Sequence, residues 1–254
     1  MRRSLVRAAV CAAAALAVGA FAVPAQATAT ANRVVYGYAW PDGAGHLRIV
    51  PKSATFVKRK GFLGYRLKPV AGAREVRLGY AKAAFGRVTV ACDLKETEGR
   101  VAVDAKGLGR TACAPADLTA ALQRGPAPLR VEYRGGQAVK VNEILVDKWP
   151  DPRTGRGTIK RVDDRTVLFA SGGKTYKLGY SYLTSFYRTT ARCGDGWLAG
   201  RPVNAGRDGL GKKSCTPADL TRALKPVKHP VLAQLRWSPE TGGIDEVWEV
   251  FGDA

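Results

Sequence analysis

The chain has 254 residues, with 41 Lys or Arg against 21 Asp or Glu, a formal charge of +20 at pH 7. An excess of this size bears on solubility and on attraction to anionic surfaces, not on fold. Two histidines and a single methionine, the initiator, leave little material for a metal centre, and no cofactor is expected.

Met1 to Arg7 carries three arginines and no acid, an apolar run rich in Ala, Val and Leu follows to Val23, and Pro24-Ala25-Gln26-Ala27 ends in a small-x-small triplet. That order predicts a secretory signal peptide over residues 1–27, with Cys11 leaving inside it. Removing 27 of 254 residues leaves 227, and three of the 41 basic residues go with them, so 38 basic face 21 acidic residues, a charge of +17. No later stretch is long and apolar enough to span a membrane as a helix. The expectation is a secreted, extracellular protein in a compartment where disulfides persist.

Fixed words then recur in the same order along the chain, which predicts a tandem duplication. Trp40-Pro41-Asp42 returns as Trp149-Pro150-Asp151, Gly45 to Val50 is echoed by Gly157 to Val162, and Leu78-Gly79-Tyr80 returns as Leu178-Gly179-Tyr180. Phe85, Arg87, Thr89 and Cys92 are spaced like Phe186, Arg188, Thr190 and Cys193, and Cys113-Ala114-Pro115-Ala116-Asp117-Leu118 matches Cys215-Thr216-Pro217-Ala218-Asp219-Leu220. Two repeats are read, over 33–147 and 148–254. Trp40 and Trp149 recur with Pro-Asp and are assigned to core or corner packing.

Each repeat reads mostly as strand. Val76, Leu78 and Tyr80 alternate with polar or small residues, as do Tyr176, Leu178, Tyr180 and Tyr182. Arg87 to Ala91 is expected to continue as strand into Cys92. Past the second cysteine the period changes: Leu118 and Leu122, like Leu220 and Leu224, lie four apart on one helical face. Thr216 suits the cap of the second helix, with Pro217 at its first position, whereas Ala114 is a poorer cap; Gly125 and Pro226 end the two helices. Each repeat closes on a hairpin, with Gly135-Gly136 and Gly242-Gly243 supplying positive φ. The fold class expected is α+β, mostly antiparallel β, each repeat a twisted antiparallel sheet with one short helix.

Four cysteines allow three pairings. The duplication favours Cys92 with Cys113 and Cys193 with Cys215, because a single ancestral unit would already have held one bridge. Each such staple contributes about 3 kcal/mol on the chain-entropy account.

For chemistry the residues offer little. His46 and His229 have no counterparts in the other repeat, the nucleophile-elbow and zinc-protease words are absent, and Asp163-Asp164 reads as a polar turn. No enzyme is expected. Between Val50/Val162 and Leu78/Leu178 the first repeat is longer by 12 residues (the offset falls from 112 to 100). That stretch holds Lys58, Arg59, Lys60, Arg66 and Lys68 beside Phe62 and Tyr65, a candidate anion-binding hairpin. A solvated loop is the plainer reading of the same run. Its partner would be an acidic envelope polymer, an extracellular nucleic acid or an acidic protein face, the nucleic acid being the least expected.

Arg87 to Cys92, Ala112-Cys113, Ala116-Asp117-Leu118, and Pro128-Leu129-Arg130-Val131 leading to Val141-Asn142-Glu143-Ile144 resemble the secreted bacterial subtilisin inhibitors. Ala218-Asp219-Leu220, His229-Pro230-Val231-Leu232 and Glu249-Val250-Phe251 repeat the resemblance. It covers about half of each repeat. It implies an antiparallel sheet with a helix on one face and a convex loop that enters a serine protease cleft like a substrate. Here that loop would lie at Arg124 to Ala127 and at Lys225, Pro226, Val227, Lys228 and His229, with Lys228 or a neighbour in the specificity pocket. In the family a second disulfide ties the loop down, and both repeats lack it. The expected work is non-catalytic recognition of a macromolecule, an exported serine protease or an anionic polymer.

Overall fold

The computed structural model describes residues 31–252. The expected signal peptide, with Cys11, lies outside the described residues. The elements of the first half are β1 (Arg33–Pro41), β2 (His46–Ile49), β3 (Lys52–Arg59), β4 (Phe62–Pro69), β5 (Val76–Gly79), β6 (Ala84–Arg87), β7 (Thr111–Cys113), α1 (Pro115–Arg124), β8 (Ala127–Arg134) and β9 (Gln137–Glu143). Those of the second are β10 (Arg153–Arg161), β11 (Thr166–Ser171), β12 (Lys174–Gly179), β13 (Ser185–Arg188), β14 (Lys213–Cys215), α2 (Pro217–Leu224), β15 (Val231–Ser238) and β16 (Gly243–Glu249). The chain is thus mostly strand, in two sheets, with one helix accompanying each.

Each sheet curls until it meets itself. In the first, β1 pairs β2, β2 pairs β5, β5 touches β9, β9 pairs β8 and β8 returns to β1. In the second, β10, β11, β12, β16 and β15 close the same circuit. Each closure is made by one residue pair, Gly79 with Gln137 and Gly179 with Gly243, and one backbone bond, Gly79 N–H to Gly136 O at 3.0 Å and Gly179 N–H to Gly242 O at 2.8 Å. Closure removes two exposed edges that would otherwise offer unpaired amides to another chain. The expectation of an antiparallel sheet is corrected at two places in each half: the closing pairs β5–β9 and β12–β16 are parallel, and so is one further pairing. β6 runs parallel to β9 and β13 to β16, because the bridged loop, helix and hairpin strand between them form a crossover connection.

The helices lie over these curls with the face the spacing predicts. Leu118, Ala121 and Leu122 of α1 and Leu220, Ala223 and Leu224 of α2 are buried. Each such leucine contributes roughly 2 kcal/mol by leaving water. They meet Leu47, Leu78, Phe85 and Leu129 in the first core, and Val167, Leu178, Phe186 and Leu235 in the second. Tyr80 and Tyr180 turn inward and reach a helix hydroxyl, Thr119 Oγ1 and Thr221 Oγ1, each at 2.9 Å. At the start of α2, Asp219 N–H donates to Thr216 Oγ1, while Thr216 N–H and Oγ1–H both donate to Asp219 Oδ2. At the start of α1 only Ala114 N–H to Asp117 Oδ2 is made.

Three further expectations are corrected. Arg87 to Ala91 does not continue as strand: β6 ends at Arg87, and Val88 N–H turns to Glu143 Oε2 at 3.0 Å instead of a ladder. Gly135, Gly136 and Gly242 have positive φ, but Gly243 does not and is the first residue of β16. The two Trp-Pro-Asp words are not at matching sheet positions. Ala39 pairs Ile49 and Ala127, as Ile159 pairs Phe169 and Val231, which sets Trp40 level with Lys160 and leaves Trp149 ahead of β10. Trp40 is 4% exposed, and its Nε1–H donates to Thr241 O at 2.8 Å in the other half. Trp149 is 51% exposed and meets the Tyr38 ring at 5.3 Å.

By sheet position the insertion in the first half is also longer than the recurring words indicate. Twenty-six residues separate Ile49 from Val76, whereas 6 separate Phe169 from Tyr176, a difference of 20. The echo of Gly45 to Val50 at Gly157 to Val162 is therefore out of register; β2 sits where β11 does. The additional residues form the β3–β4 hairpin, which folds back over its own sheet through Tyr65, Leu108 and Ile144, with Tyr36, Ala54 and Leu67 packed beside them.

Candidate functional site

Cys92 is bonded to Cys113 and Cys193 to Cys215, with Cα–Cα distances of 5.7 and 5.6 Å. Of the three pairings open to four cysteines, this is the one within each half. The bridges join the bend after β6 or β13 to the short strand leading into each helix.

Behind each bridge lies a buried ion pair whose members the sequence shows without revealing that they meet. Arg188 and Glu249 are both 0% exposed. Arg188 Nε and Nη2 donate to Glu249 Oε1 at 3.1 and 2.6 Å, Nη1 donates to Cys193 O and Asp195 O, and Nη2 also to Gly196 O. Glu249 in turn accepts Thr189 N–H, Thr189 Oγ1–H and Leu198 N–H. Arg87 and Glu143 repeat the plan more loosely, with side-chain exposures of 3% and 10%, a single 3.2 Å contact, and Arg87 Nη1 donating to Cys92 O and Leu94 O. A charge taken out of water is tolerated only where its donors and acceptors are met. Here the arginine meets them with loop carbonyls, and so fixes the shape of the bridged loop. The signal in the sequence is an arginine at the end of a strand in each half and a glutamate at the end of that half's last strand.

The connection from helix to next strand differs between halves. Only Gly125 and Pro126 separate α1 from β8, Pro126 is half-buried, and Ala127 is already buried and paired with Ala39. The expected loop at Arg124 to Ala127 is therefore closed down. In the second half six residues, Lys225 to Pro230, separate α2 from β15. Lys225 N–H donates to Thr221 O at 3.0 Å and Val227 N–H to Leu224 O at 3.1 Å, and the Val227 side chain packs on the second core. Lys225, Pro226, Lys228, His229 and Pro230 are exposed. Lys228 to Pro230 thus stands free between two held residues, Val227 and Val231.

The β3–β4 hairpin turns at Lys60-Gly61, where Gly61 has φ 74°. Cross-strand pairing puts Arg59 opposite Phe62, Thr55 opposite Arg66 and Ser53 opposite Lys68, so Arg59, Arg66 and Lys68 share one face. Lys58 pairs with Leu63 on the other face, the side that carries Phe56 and Tyr65, and Lys60 sits in the turn. The five residues therefore meet around the tip instead of lining one side. Arg66 is committed elsewhere: its Nε and Nη2 donate to Asp147 Oδ2 at 2.9 and 2.6 Å. Lys58, Arg59, Lys60 and Lys68 have no acidic partner within 4.0 Å among the described residues. The Arg59 guanidinium lies over the Phe62 ring at 4.9 Å. The base of the hairpin is held by Tyr65, whose hydroxyl donates to Lys106 O at 2.7 Å and whose ring meets Tyr36 and Phe56.

The residues weighed for catalysis stand apart. His46 opens β2 and donates Nδ1–H to the nearby Ala44 O, and His229 is in the exposed loop. Asp163 and Asp164 sit in the turn between β10 and β11, where Asp163 Oδ1 accepts Arg165 N–H. A hydrogen bond and ion pair from Arg161 hold the Asp164 carboxyl below the usual range. Each bridge lies near an aspartate, Asp117 or Asp219, but its sulfurs are bonded to one another and offer no thiolate for a metal. No helix among the described residues is long and apolar enough to cross a membrane. No family model matches the chain, and neither the curated proteins nor the solved structures searched gave a match.

Proposed function

We propose that the protein is an exported, non-catalytic binding protein that docks on an anionic polymer through the tip of the β3–β4 hairpin. One observation carries this reading: a hairpin peculiar to one half, anchored by aromatic packing and by the Arg66–Asp147 pair, presents Lys58, Arg59 and Lys60 with no acidic partner within 4.0 Å among the described residues. A braced scaffold gives up little freedom when it binds, and a cluster of free cations on a strongly basic body gathers polyanions from solution. Binding of a sulfated polysaccharide is expected to weaken steadily as salt is raised, and the triple variant Lys58→Glu, Arg59→Glu, Lys60→Glu is expected to bind at least about tenfold more weakly at low salt. Affinity indifferent to both changes would exclude the reading.

A second reading rests on the exposed Lys228-His229-Pro230 segment and on the resemblance to subtilisin inhibitors: docking of that loop in an exported serine protease. The held ends at Val227 and Val231 support it. Its test is titration of subtilisin-type and trypsin-type proteases with the mature protein. Inhibition abolished by Lys228→Ala supports it, and cleavage between residues 225 and 230 without inhibition counts against it. That the two halves descend from one duplicated unit belongs to the same proposal, supported by the matched bridges, helices and sheet circuits.

A further inference from the structure

A cavity of about 510 Å³ opens where the first sheet meets the second, with rings of Tyr38, Trp40 and Tyr176 and the side chains of Arg48, Lys52 and Lys177 in its walls. Arg48 projects from β2, opposite Trp40 on β1 and Arg77 on β5, and is 4% exposed. Its guanidinium carbon is 5.8 Å from the centroid of the Trp40 ring, and Nη1 donates to Glu75 Oε2 at 3.2 Å. Nε and Nη2 are buried and find no partner among the described residues.

Elsewhere in this molecule the same two nitrogens hold a carboxylate. Arg66 Nε and Nη2 both donate to Asp147 Oδ2, and Arg188 Nε and Nη2 both donate to Glu249 Oε1. The Nε–H and Nη2–H edge of a guanidinium is a rigid fork whose spacing fits a planar carboxylate. Glu75 does not close it: its Oε2 accepts from Arg48 Nη1 and its Oε1 from Lys177 Nζ at 2.6 Å. Two buried charged donors without an acceptor call for a partner, since leaving them unmet costs more than a hydrogen bond returns.

We infer that this cavity binds a small organic carboxylate, whose oxygens close the Nε/Nη2 fork of Arg48 while its apolar body lies among the aromatic rings. The surrounding charge agrees. Arg48, Lys52 and Lys177 outnumber Glu75 and Glu240, the two carboxylates of the cavity wall. Burial holds the Lys52 ammonium below its ordinary range, with Glu240 opposing the shift, so an anion beside it relieves a cost already present. The carboxylate belongs either to a free acid or to the C-terminus of a peptide, and both present the same group to the fork.

Titration calorimetry of the mature protein with benzoate, acetate and sulfate tests this, alongside a dipeptide ending in phenylalanine with its terminus free or amidated. Benzoate or the free dipeptide is expected to saturate one site, more tightly than acetate, and with the amidated dipeptide silent. Arg48→Lys keeps the charge but loses the fork, and is expected to weaken binding at least about tenfold. Saturation by benzoate alone assigns the site to free acids, and saturation by the free dipeptide alone assigns it to a peptide terminus. Absence of saturable binding by both, equal affinity for sulfate, or unchanged affinity in Arg48→Lys overturns the inference. Where Arg48→Lys lacks a cooperative melt, Lys52→Ala at the cavity wall replaces it: severalfold weaker benzoate binding supports the site, and unchanged binding overturns it.

Discussion

The two bridged loops share one plan at different tightness. Behind Cys193–Cys215 the arginine and glutamate are sealed from water, and Arg188 meets three loop carbonyls. Behind Cys92–Cys113 the pair is slightly wetter and Arg87 meets two. Bridges of nearly equal span are thus backed by different numbers of hydrogen bonds in the two halves. The ion pair beneath the bridge is the better sealed and bonded in the half that also carries the exposed Lys228 segment. The looser half spends its additional residues on a hairpin.

The strongest way to break this comparison is to neutralise the glutamates singly. Glu249→Gln leaves a sealed arginine without its counter-charge and is expected to cost on the order of 4 kcal/mol in denaturant unfolding, against roughly 2–3 kcal/mol for Glu143→Gln. Equal costs, or the reverse order, would show that the two loops do not differ in the way their hydrogen bonds indicate. Next in size is removal of each bridge by paired Cys→Ser changes. The sequence separations are 21 and 22, so loop-closure entropy assigns both about 3 kcal/mol. If the second proves costlier by more than about 1 kcal/mol, bridge and ion pair act on the native loop together and do not add independently.

A third test uses alkali. Tyr38 is buried, and burial first, then Glu240 and Asp147, push its phenol up to about 12. An unfolded tyrosine ionises near pH 10, so between about pH 10 and 12 the unfolded chain holds fewer protons than the folded one. Stability therefore falls as pH rises through that window, by roughly 2–3 kcal/mol from Tyr38, and Tyr65, which burial also pushes up to about 12, adds to the loss. Tyr38→Phe is expected to remove its own share of the loss and leave that of Tyr65, read as melting temperature against pH. A profile identical to that of the unaltered protein would remove Tyr38 as its source. The smallest expected effect lies at the helix starts. Thr216→Ala is expected to cost about 1 kcal/mol, and Ala114→Thr to gain a similar amount, bringing α1 to the pattern of α2. A null result in both would mean that Asp117 and Asp219 cap these helices unaided.

What the sequence made legible was local. Leucines four apart placed the helix faces, Thr216 and Pro217 placed the start of α2, paired glycines placed the first hairpin, and a matching cysteine pair in each half placed the bridges. What it concealed depends on long closures. Arg87 and Glu143 lie 56 residues apart, and Arg188 and Glu249 61, and no periodicity links them. The repeated Trp-Pro-Asp word misled because spelling recurs where sheet position does not. The basic run at 58 to 68 was plain as composition, but strand alternation distributes it around a tip and one member is spent on Asp147. Arg48 had no signature at all, being one arginine in an alternating strand; only the position of Trp40 and Glu75 around it exposes its unanswered edge.

Trp40 makes the two halves one object. Its indole donates across to Thr241, and its ring lies so close to Gly179 that a methyl group there would come within 2.4 Å of Cε3. A gene fragment stopping at residue 147 would encode every strand of the first sheet and still strand this indole in solvent with its hydrogen bond unmade. A complete sheet circuit, helix and bridge in each half thus do not make the halves independent: one side chain of the first needs the second.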